Sequence, residues 1–160
     1  MRTRKPLIGV IGSSIGVPSQ LELARAVGQR IAERDAILVC GGMTGVMEAA
    51  ARGAQEAGGL TIGILPGSNA AESPPNPFIE IALFTGLREA RNYLIASVCD
   101  GLIAIGGGYG TLSEIALALR LGKPLVLLDS WQFQIEGETL SVPTAQTADE
   151  AVERLWAMLP

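Results

Sequence analysis

The sequence contains no histidine and only two cysteines, so several kinds of catalytic and metal site are absent. Without histidine there is no His-ligated zinc, no Ser-His-Asp triad and no imidazole pH switch. Cys40 and Cys99 each stand at the end of an apolar run and lack CxxC spacing. We therefore expect two small core residues in a reducing compartment, without a disulfide and without a metal site.

Charged residues are also scarce, at 18% of the 160 residues, and the net charge is −4. An acidic chain of this kind argues against a broad polyanion-binding surface, so we expect no nucleic-acid partner. No apolar run approaches the roughly 20 residues of a membrane span, and the N-terminus lacks the apolar segment of a signal peptide. We expect a cytoplasmic protein with no membrane partner.

The apolar fraction is 48%, which is high for a chain of this length. The length predicts one domain over residues 1–160, with residues 1–5 as a flexible tail. The excess of apolar residues indicates that part of the surface is covered by another copy of the chain. We therefore predict a homodimer or homotetramer.

Apolar runs alternate with helical patterns from one end of the chain to the other. The predicted strands are 7–11, 36–40, 60–65, 78–84, 101–105 and 124–128, and the predicted helices begin at Pro18, Thr44, Leu87, Thr111 and Thr147. Near-continuous apolar strands between helices are typical of a parallel sheet that is covered on both faces. The predicted fold is an α/β, Rossmann-like three-layer sandwich with about six to seven mostly parallel strands and helices on both faces.

Four turns at the predicted carboxyl edge of this sheet carry glycine and hydroxyl residues. They are Gly12-Ser13-Ser14, Gly41-Gly42-Met43-Thr44-Gly45, Pro66-Gly67-Ser68 and Gly106-Gly107-Gly108-Tyr109-Gly110-Thr111. Glycine lets successive N–H groups point inward, and two of these turns lead into helices, whose N-termini attract anions. One such turn alone would only be a tight connection, but four glycines in five residues favour a ligand. We predict that these turns bind a phosphorylated small molecule.

The familiar nucleotide-binding motifs do not occur. There is no G-x-G-x-x-G after the first strand and no G-x-x-x-x-G-K-[ST], and the only lysines are Lys5 and Lys123. An NAD enzyme or a P-loop NTPase is therefore not expected. Lys123 precedes the sixth strand and so should lie at the opposite edge of the sheet, which argues against a Schiff-base lysine in the pocket.

The segment Thr111-Leu112-Ser113-Glu114 has two interpretations. As structure, it is a capping box, like the S-x-x-E at Ser19–Glu22 and the T-x-x-E at Thr147–Glu150. As chemistry, Glu114 is a carboxylate one turn above a phosphate site, able to stabilise positive charge on a sugar carbon or to activate water.

Two arginines have a similar ambiguity. Arg88 and Arg91 are three residues apart and so share a face of the predicted helix. That face is either solvated or, because the helix starts at the glycine-bearing edge, positioned to bind phosphate or carboxylate.

At these residues the chain resembles the LONELY GUY (LOG) superfamily, often mislabelled as lysine decarboxylases. The hallmark P-G-G-x-G-T-x-x-E corresponds to residues 106–114, and the upstream M-H-x-R-K corresponds to residues 88–92. The resemblance implies a phosphoribohydrolase that cleaves nucleoside 5′-monophosphates such as AMP, with no required cofactor. Arg91 and Glu114 would be its catalytic pair, and the phosphate would be held by Gly107, Gly108, Gly110 and Thr111.

At the positions that differ from these motifs, the sequence is more similar to a short LOG-like branch that includes the molybdenum cofactor carrier proteins. Gly106 replaces the leading proline, Glu89 replaces the histidine and Asn92 replaces the lysine. Molybdopterin has a terminal phosphate, so the same loops would serve a carrier of the molybdenum cofactor, which is the favoured hypothesis. The phosphoribohydrolase is the alternative, and a nucleotide-sensing domain is a second alternative.

Overall fold

Seven strands form one parallel sheet in the computed structural model, which describes residues 4–160. Residues 4–160 contain nine strands in all: β1 (Leu7–Gly12), β2 (Ile37–Cys40), β3 (Thr61–Leu65), β4 (Ile81–Phe84), β5 (Gly101–Gly106), β6 (Leu125–Ser130), β7 (Gln134–Ile135), β8 (Glu138–Thr139) and β9 (Thr144–Ala145). The sheet order is β4-β3-β2-β1-β5-β6-β9, and β7 and β8 form a separate antiparallel hairpin. The predicted parallel sheet is confirmed, with seven strands.

Five helices cover the two faces of this sheet. They are α1 (Pro18–Glu33), α2 (Val46–Glu56), α3 (Arg91–Val98), α4 (Tyr109–Arg120) and α5 (Ala148–Met158), and a 3₁₀ turn at Arg88–Ala90 precedes α3. One core cluster holds the buried faces of α1, α2 and α5, and a second holds those of α3 and α4. Successive residues of β1 alternate between them, with Val10 in the first and Ile11 in the second. The three-layer sandwich is therefore confirmed.

Helices α1 and α2 approach each other so closely that their backbones touch. A Cβ atom on Gly28 of α1 would lie 1.9 Å from the carbonyl oxygen of Ala50, and one on Gly53 of α2 would lie 1.9 Å from that of Arg25. Both glycines are buried. The contact depends on the absence of a side chain at each position, because protein interiors are close-packed.

Several predicted boundaries differ from the observed ones. The predicted capping box at Ser19–Glu22 is wrong: Pro18 occupies the first helical position, which makes Val17 the N-cap, and no side chain caps α1. The predicted strand 78–84 shortens to β4, because Phe78 and Glu80 instead bond to the hydroxyl of Thr61. The box at Thr147–Glu150 is confirmed, since the Thr147 hydroxyl accepts from the N–H of Glu150.

The N-terminal residues were predicted to form a flexible tail. Residues 1–3 of that tail lie outside the described residues, while Arg4 donates two hydrogen bonds of 2.9 Å to the Asp100 carboxylate. Lys5 forms an ion pair with Asp35 at 2.6 Å. Within residues 4–160, no helix has the length and apolar character needed to cross a membrane.

Candidate functional site

The carboxyl ends of β1 and β5 lie side by side at the point where the strand order reverses. From β1 the chain builds the sheet outward through β2, β3 and β4, and β5 then returns to the other side of β1. Gly12 at the end of β1 pairs in register with Ile105, and a Cβ on Gly12 would lie 2.5 Å from the Ile105 carbonyl oxygen. In such sheets this crevice is where ligands bind.

The loops that follow β1 and β2 are bonded to each other. The carbonyl oxygen of Ser13 accepts from the N–H of Val46 at 3.0 Å, and that of Ser14 accepts from the Thr44 hydroxyl at 2.9 Å. Gly45 has a φ of +69°, and a Cβ there would lie 2.4 Å from the Ser13 carbonyl oxygen. These predicted site residues are therefore brought together, with the Thr44 hydroxyl already engaged by the protein.

The loop from Gly106 to Thr111 opens directly into α4. Gly106 and Gly107 have φ values of +59° and +140°, and Gly108 is the N-cap of α4 with no side chain capping it. A Cβ on Gly108 or Gly110 would meet nothing within 4 Å. The first N–H groups of a helix have no partner within the helix and attract anions. The geometry of this loop is what a phosphate site requires.

The turn after β3 has a different character. The N–H of Gly67 donates to the Ser73 hydroxyl at 3.0 Å, and the N–H of Ser68 donates to the Glu72 carboxylate at 2.9 Å. The amides of this turn are thus occupied by the protein's own oxygens, one of them negatively charged. The expectation that Pro66-Gly67-Ser68 adds to the anion site is therefore wrong.

The interpretation of Thr111 and Glu114 as a capping box is also wrong. Because α4 begins at Tyr109, both residues lie inside the helix, and their side chains are 3% and 7% exposed. Thr111 packs under the loop, since a Cβ on Gly107 would lie 3.0 Å from its Cβ atom. Glu114 is largely buried, and no group of residues 4–160 donates a hydrogen bond to its carboxylate.

Arg91 and Glu114 are both buried behind the glycine loops, and the charge of each affects the pKa of the other. Arg91 donates to the Ile64 carbonyl oxygen at 3.0 Å, while its Nε is buried without a partner among the described residues. A Cβ on Gly41 would lie 2.2 Å from the Nη1 of Arg91, so this glycine leaves room for the guanidinium. Burial raises the pKa of Glu114 to about 7, and the charge of Arg91 opposes that rise.

Burial also lowers the pKa of Arg91, while the charge of Glu114 raises it. The two arginines that were expected to share a helix face are separated. Arg88 lies in the 3₁₀ turn with a φ of +50° and is exposed, whereas Arg91 is 9% exposed. The expectation of a common arginine face is therefore wrong, and only Arg91 reaches the predicted site.

Sequence reasoning missed the polar residues at the end of β6. Asp129 lies beside Gln20 of α1, whose amide donates to the Asp129 carboxylate at 3.1 Å, and the Ser130 hydroxyl donates to the carbonyl oxygen of Gly106 at 2.6 Å. The signal was present in the sequence, because Asp129 and Ser130 directly follow an apolar strand at the ligand-binding edge of the sheet.

Two solved structures are similar to this chain over nearly its whole length. The molybdenum cofactor binding protein from Rippkaea orientalis is 37% identical, with a TM-score of 0.87 and coverage of 98% of this chain and 99% of that one. The Moco carrier protein from Chlamydomonas reinhardtii is 38% identical, with a TM-score of 0.82 and coverage of 98% and 100%.

A curated enzyme is similar over a smaller part of its length. The cytokinin riboside 5′-monophosphate phosphoribohydrolase of Mycobacterium tuberculosis is 33% identical over 118 residues, which are 69% of this chain and 63% of the enzyme. The model of the SLOG cluster4 family matches residues 5–156. The chain therefore belongs to the SLOG cluster4 family, within the LOG-like superfamily and with a resemblance to the molybdenum cofactor carriers.

Proposed function

We propose that the chain binds a phosphorylated small molecule and acts as a carrier of the molybdenum cofactor type. The observation that carries the proposal is the open N-terminus of α4, where Gly108 and Gly110 leave the space in front of the helix free. The N–H groups of Tyr109, Gly110 and Thr111 are available to an anion there. Molybdopterin ends in a phosphate, so the loop fits that end of the cargo.

The remaining predicted contacts would shape the site around this phosphate. Gly12, Ser13 and Ser14 line the β1 side of the crevice, and Gly41, Gly42, Thr44 and Gly45 support them from β2. Their mutual hydrogen bonds hold the two loops in place before a ligand arrives. A preorganised site loses little conformational freedom on binding, which favours affinity without any reacting side chain.

The extent of the similarity supports a carrier over an enzyme. The chain covers nearly the whole of the molybdenum cofactor binding protein and of the Moco carrier protein, whereas it spans less than two thirds of the phosphoribohydrolase. Arg91 also has a structural role, because it donates a hydrogen bond to the Ile64 carbonyl oxygen.

Hydrolysis of a nucleoside 5′-monophosphate is the second candidate, and the raised pKa of Glu114 favours it. A carboxyl group with a pKa of about 7 suits proton transfer at neutral pH. Arg91 would orient the substrate, and Glu114 would stabilise the oxocarbenium-like ribose. The N-glycosidic bond breaks, water adds its oxygen to the ribose carbon, and the base leaves with a proton.

A charge reversal in the α4 loop tests the phosphate site. Gly110→Asp places a carboxylate in open space at the start of a helix, where it favours the fold but repels a phosphate. We expect loss of binding of AMP and of the molybdenum cofactor with an unchanged or higher melting temperature. Gly110→Asn, which adds the same bulk without the charge, should retain much of the binding. Equal binding by both variants would contradict the proposal.

Two further assays separate a carrier from a hydrolase. A carrier should bind the molybdenum cofactor saturably and slow its oxidation, without releasing free base from AMP or other nucleoside monophosphates. Release of base that disappears in Glu114→Gln but persists in Glu22→Gln, a change at an exposed glutamate, would instead establish the hydrolase.

We also propose that the protein is a homodimer or homotetramer in the cytoplasm. Large exposed apolar side chains occur on the edge strand β4 and on the following chain through α3, namely Ile81, Leu83, Phe84, Leu87, Tyr93 and Val98. Association would remove this surface from water. A monomer by light scattering at micromolar concentration would contradict the proposal.

A further inference from the structure

Strand β6 contains a bulge where it passes the phosphate loop. Ile105 of β5 pairs with Leu128, but the next residue, Gly106, pairs with Ser130, so Asp129 is an extra residue in β6. Asp129 has a φ of +50°, in the left-handed region that non-glycine residues rarely adopt. Bulges of this kind redirect a side chain, and strained residues gather at functional sites.

The redirected Asp129 lines a pocket next to the phosphate loop. This β6 pocket has a volume of about 380 Å³ and is lined by Gln20, Gly106, Gly107, Asp129, Ser130, Trp131 and Gln132. The volume lies within the range of about 300 to 1,000 Å³ that is typical of small-molecule sites. Because Gly107 belongs both to this pocket and to the phosphate loop, one ligand can occupy the two together.

The polar groups of the β6 pocket favour hydrogen-bond donors. One oxygen of the Asp129 carboxylate accepts from the Gln20 amide, and the other has no hydrogen bond to the described residues. An ionised carboxylate offers about four lone pairs, so most of its capacity remains available. Its negative charge would repel a phosphate, so the two halves of the site select opposite ends of a ligand.

We propose that the β6 pocket recognises the 2-amino-4-oxo-pyrimidine edge of a ring, as found in guanine and in pterins, with Asp129 as the acceptor. This edge carries two adjacent N–H donors, which match the two oxygens of a carboxylate. Adenine presents one donor next to a lone pair, and hypoxanthine lacks the amino group. The inference rests on the proposed function, because the ring is placed by the phosphate at α4.

Calorimetric titration with GMP, IMP, neopterin monophosphate and ribose 5-phosphate tests this assignment. GMP and IMP differ only in the 2-amino group, and a hydrogen bond to a charged acceptor gives a roughly ten- to hundredfold tighter dissociation constant for GMP. In Asp129→Asn this ratio should fall below about threefold, while the affinity for ribose 5-phosphate stays unchanged. Asparagine tolerates the left-handed backbone, so the fold should persist.

Asp35→Asn is the matched control, because Asp35 has a φ of +55° and lies beside Lys5, on the opposite edge of the sheet from Asp129. This variant should retain the wild-type preference for GMP over IMP. If only neopterin monophosphate binds in a way that depends on Asp129, the ligand of the β6 pocket is a pterin. If only GMP does so, the ligand is a guanine nucleotide.

The inference would be overturned if the protein bound ribose 5-phosphate but did not prefer GMP over IMP, and if Asp129→Asn did not change the affinity for neopterin monophosphate. That result would leave the phosphate site intact. If ribose 5-phosphate, both nucleotides and the pterin all fail to bind, the proposed function falls as well.

Discussion

Replacement of Glu114 with glutamine should reduce the pH dependence of stability between pH 5 and pH 8. Glu114 is 7% exposed, and burial raises its pKa from the ordinary 4.5 to about 7 in spite of the charge on Arg91. In the unfolded chain the carboxyl group is solvated and titrates near its ordinary value. Between these two pKa values the folded protein holds a proton that the unfolded chain has released.

The sign of the effect follows from this difference in bound protons. As the pH rises through the window, the free energy of unfolding falls, and above pH 7 this contribution stays constant. A shift from 4.5 to about 7 corresponds to about 3 kcal/mol, since each pH unit in the window contributes about 1.4 kcal/mol. Most of this change should occur between pH 5 and pH 8.

Urea denaturation at pH 5 and pH 8 measures this contribution as a difference between proteins. Between pH 5 and pH 8, the free energy of unfolding of the wild type should fall by roughly 2 to 3 kcal/mol more than that of Glu114→Gln. Glu22→Gln, which changes an exposed glutamate, should behave like the wild type. If the three proteins lose stability equally, within about 0.5 kcal/mol, Glu114 does not titrate as its burial requires, and the reasoning is refuted.

Three further predictions concern packing, capping and thiol reactivity. Gly28→Ala should lower the free energy of unfolding by about 1 to 3 kcal/mol, because the new methyl group meets the backbone of α2. Thr147→Ala should cost about 1 kcal/mol through loss of the α5 cap, while Ser19→Ala should cost less than about 0.5 kcal/mol, both measured by urea denaturation. Burial raises the pKa of Cys40 to about 12, so both buried cysteines should react with a thiol reagent at pH 8 only after unfolding.

The same measurements supply the controls and the contradicting outcomes. Gly110→Ala places a methyl group in open space and should change stability by less than about 1 kcal/mol. An equally small effect of Gly28→Ala would show that α1 and α2 can separate without cost. Equal losses for Ser19→Ala and Thr147→Ala would contradict the assigned caps, and rapid labelling of the native protein would contradict the burial of the cysteines.

The capping boxes show where sequence reasoning succeeds and where it fails. The same local pattern occurs three times, yet only the copy at Thr147 caps a helix. At Ser19 the preceding proline places the N-cap of α1 two residues earlier, at Val17, and at Thr111 the glycine loop places the N-cap of α4 three residues earlier, at Gly108. The start of a helix is set by the whole entering segment, so a four-residue motif alone does not determine it.

The sheet and its glycine-bearing edge could be predicted, because continuous apolar strands between helices admit few arrangements. The strand order could not be predicted, since its reversal depends on the pairing of β5 with β1, and neither could the bulge at Asp129, which depends on how β6 pairs with β5. The burial of Arg91 was equally hidden, because it depends on the close approach of Gly41, which follows β2 and lies fifty residues earlier in the chain. Such features arise from contacts between distant segments and leave no local pattern.

The glycine contact between α1 and α2 determines which part of the site can adjust to a ligand. Gly28 and Gly53 interlock the two helices, and the N–H of Val46 at the start of α2 is held by Ser13. If one helix slid along the other, backbone carbonyl groups would collide with Cα atoms. The part of the site that is formed by the loops after β1 and β2 should therefore be rigid. Movement on ligand entry should therefore be confined to residues 108–110, because a side chain at Gly108 or Gly110 would meet nothing within 4 Å, whereas Gly106 and Gly107 are packed against Gln20 and Trp131.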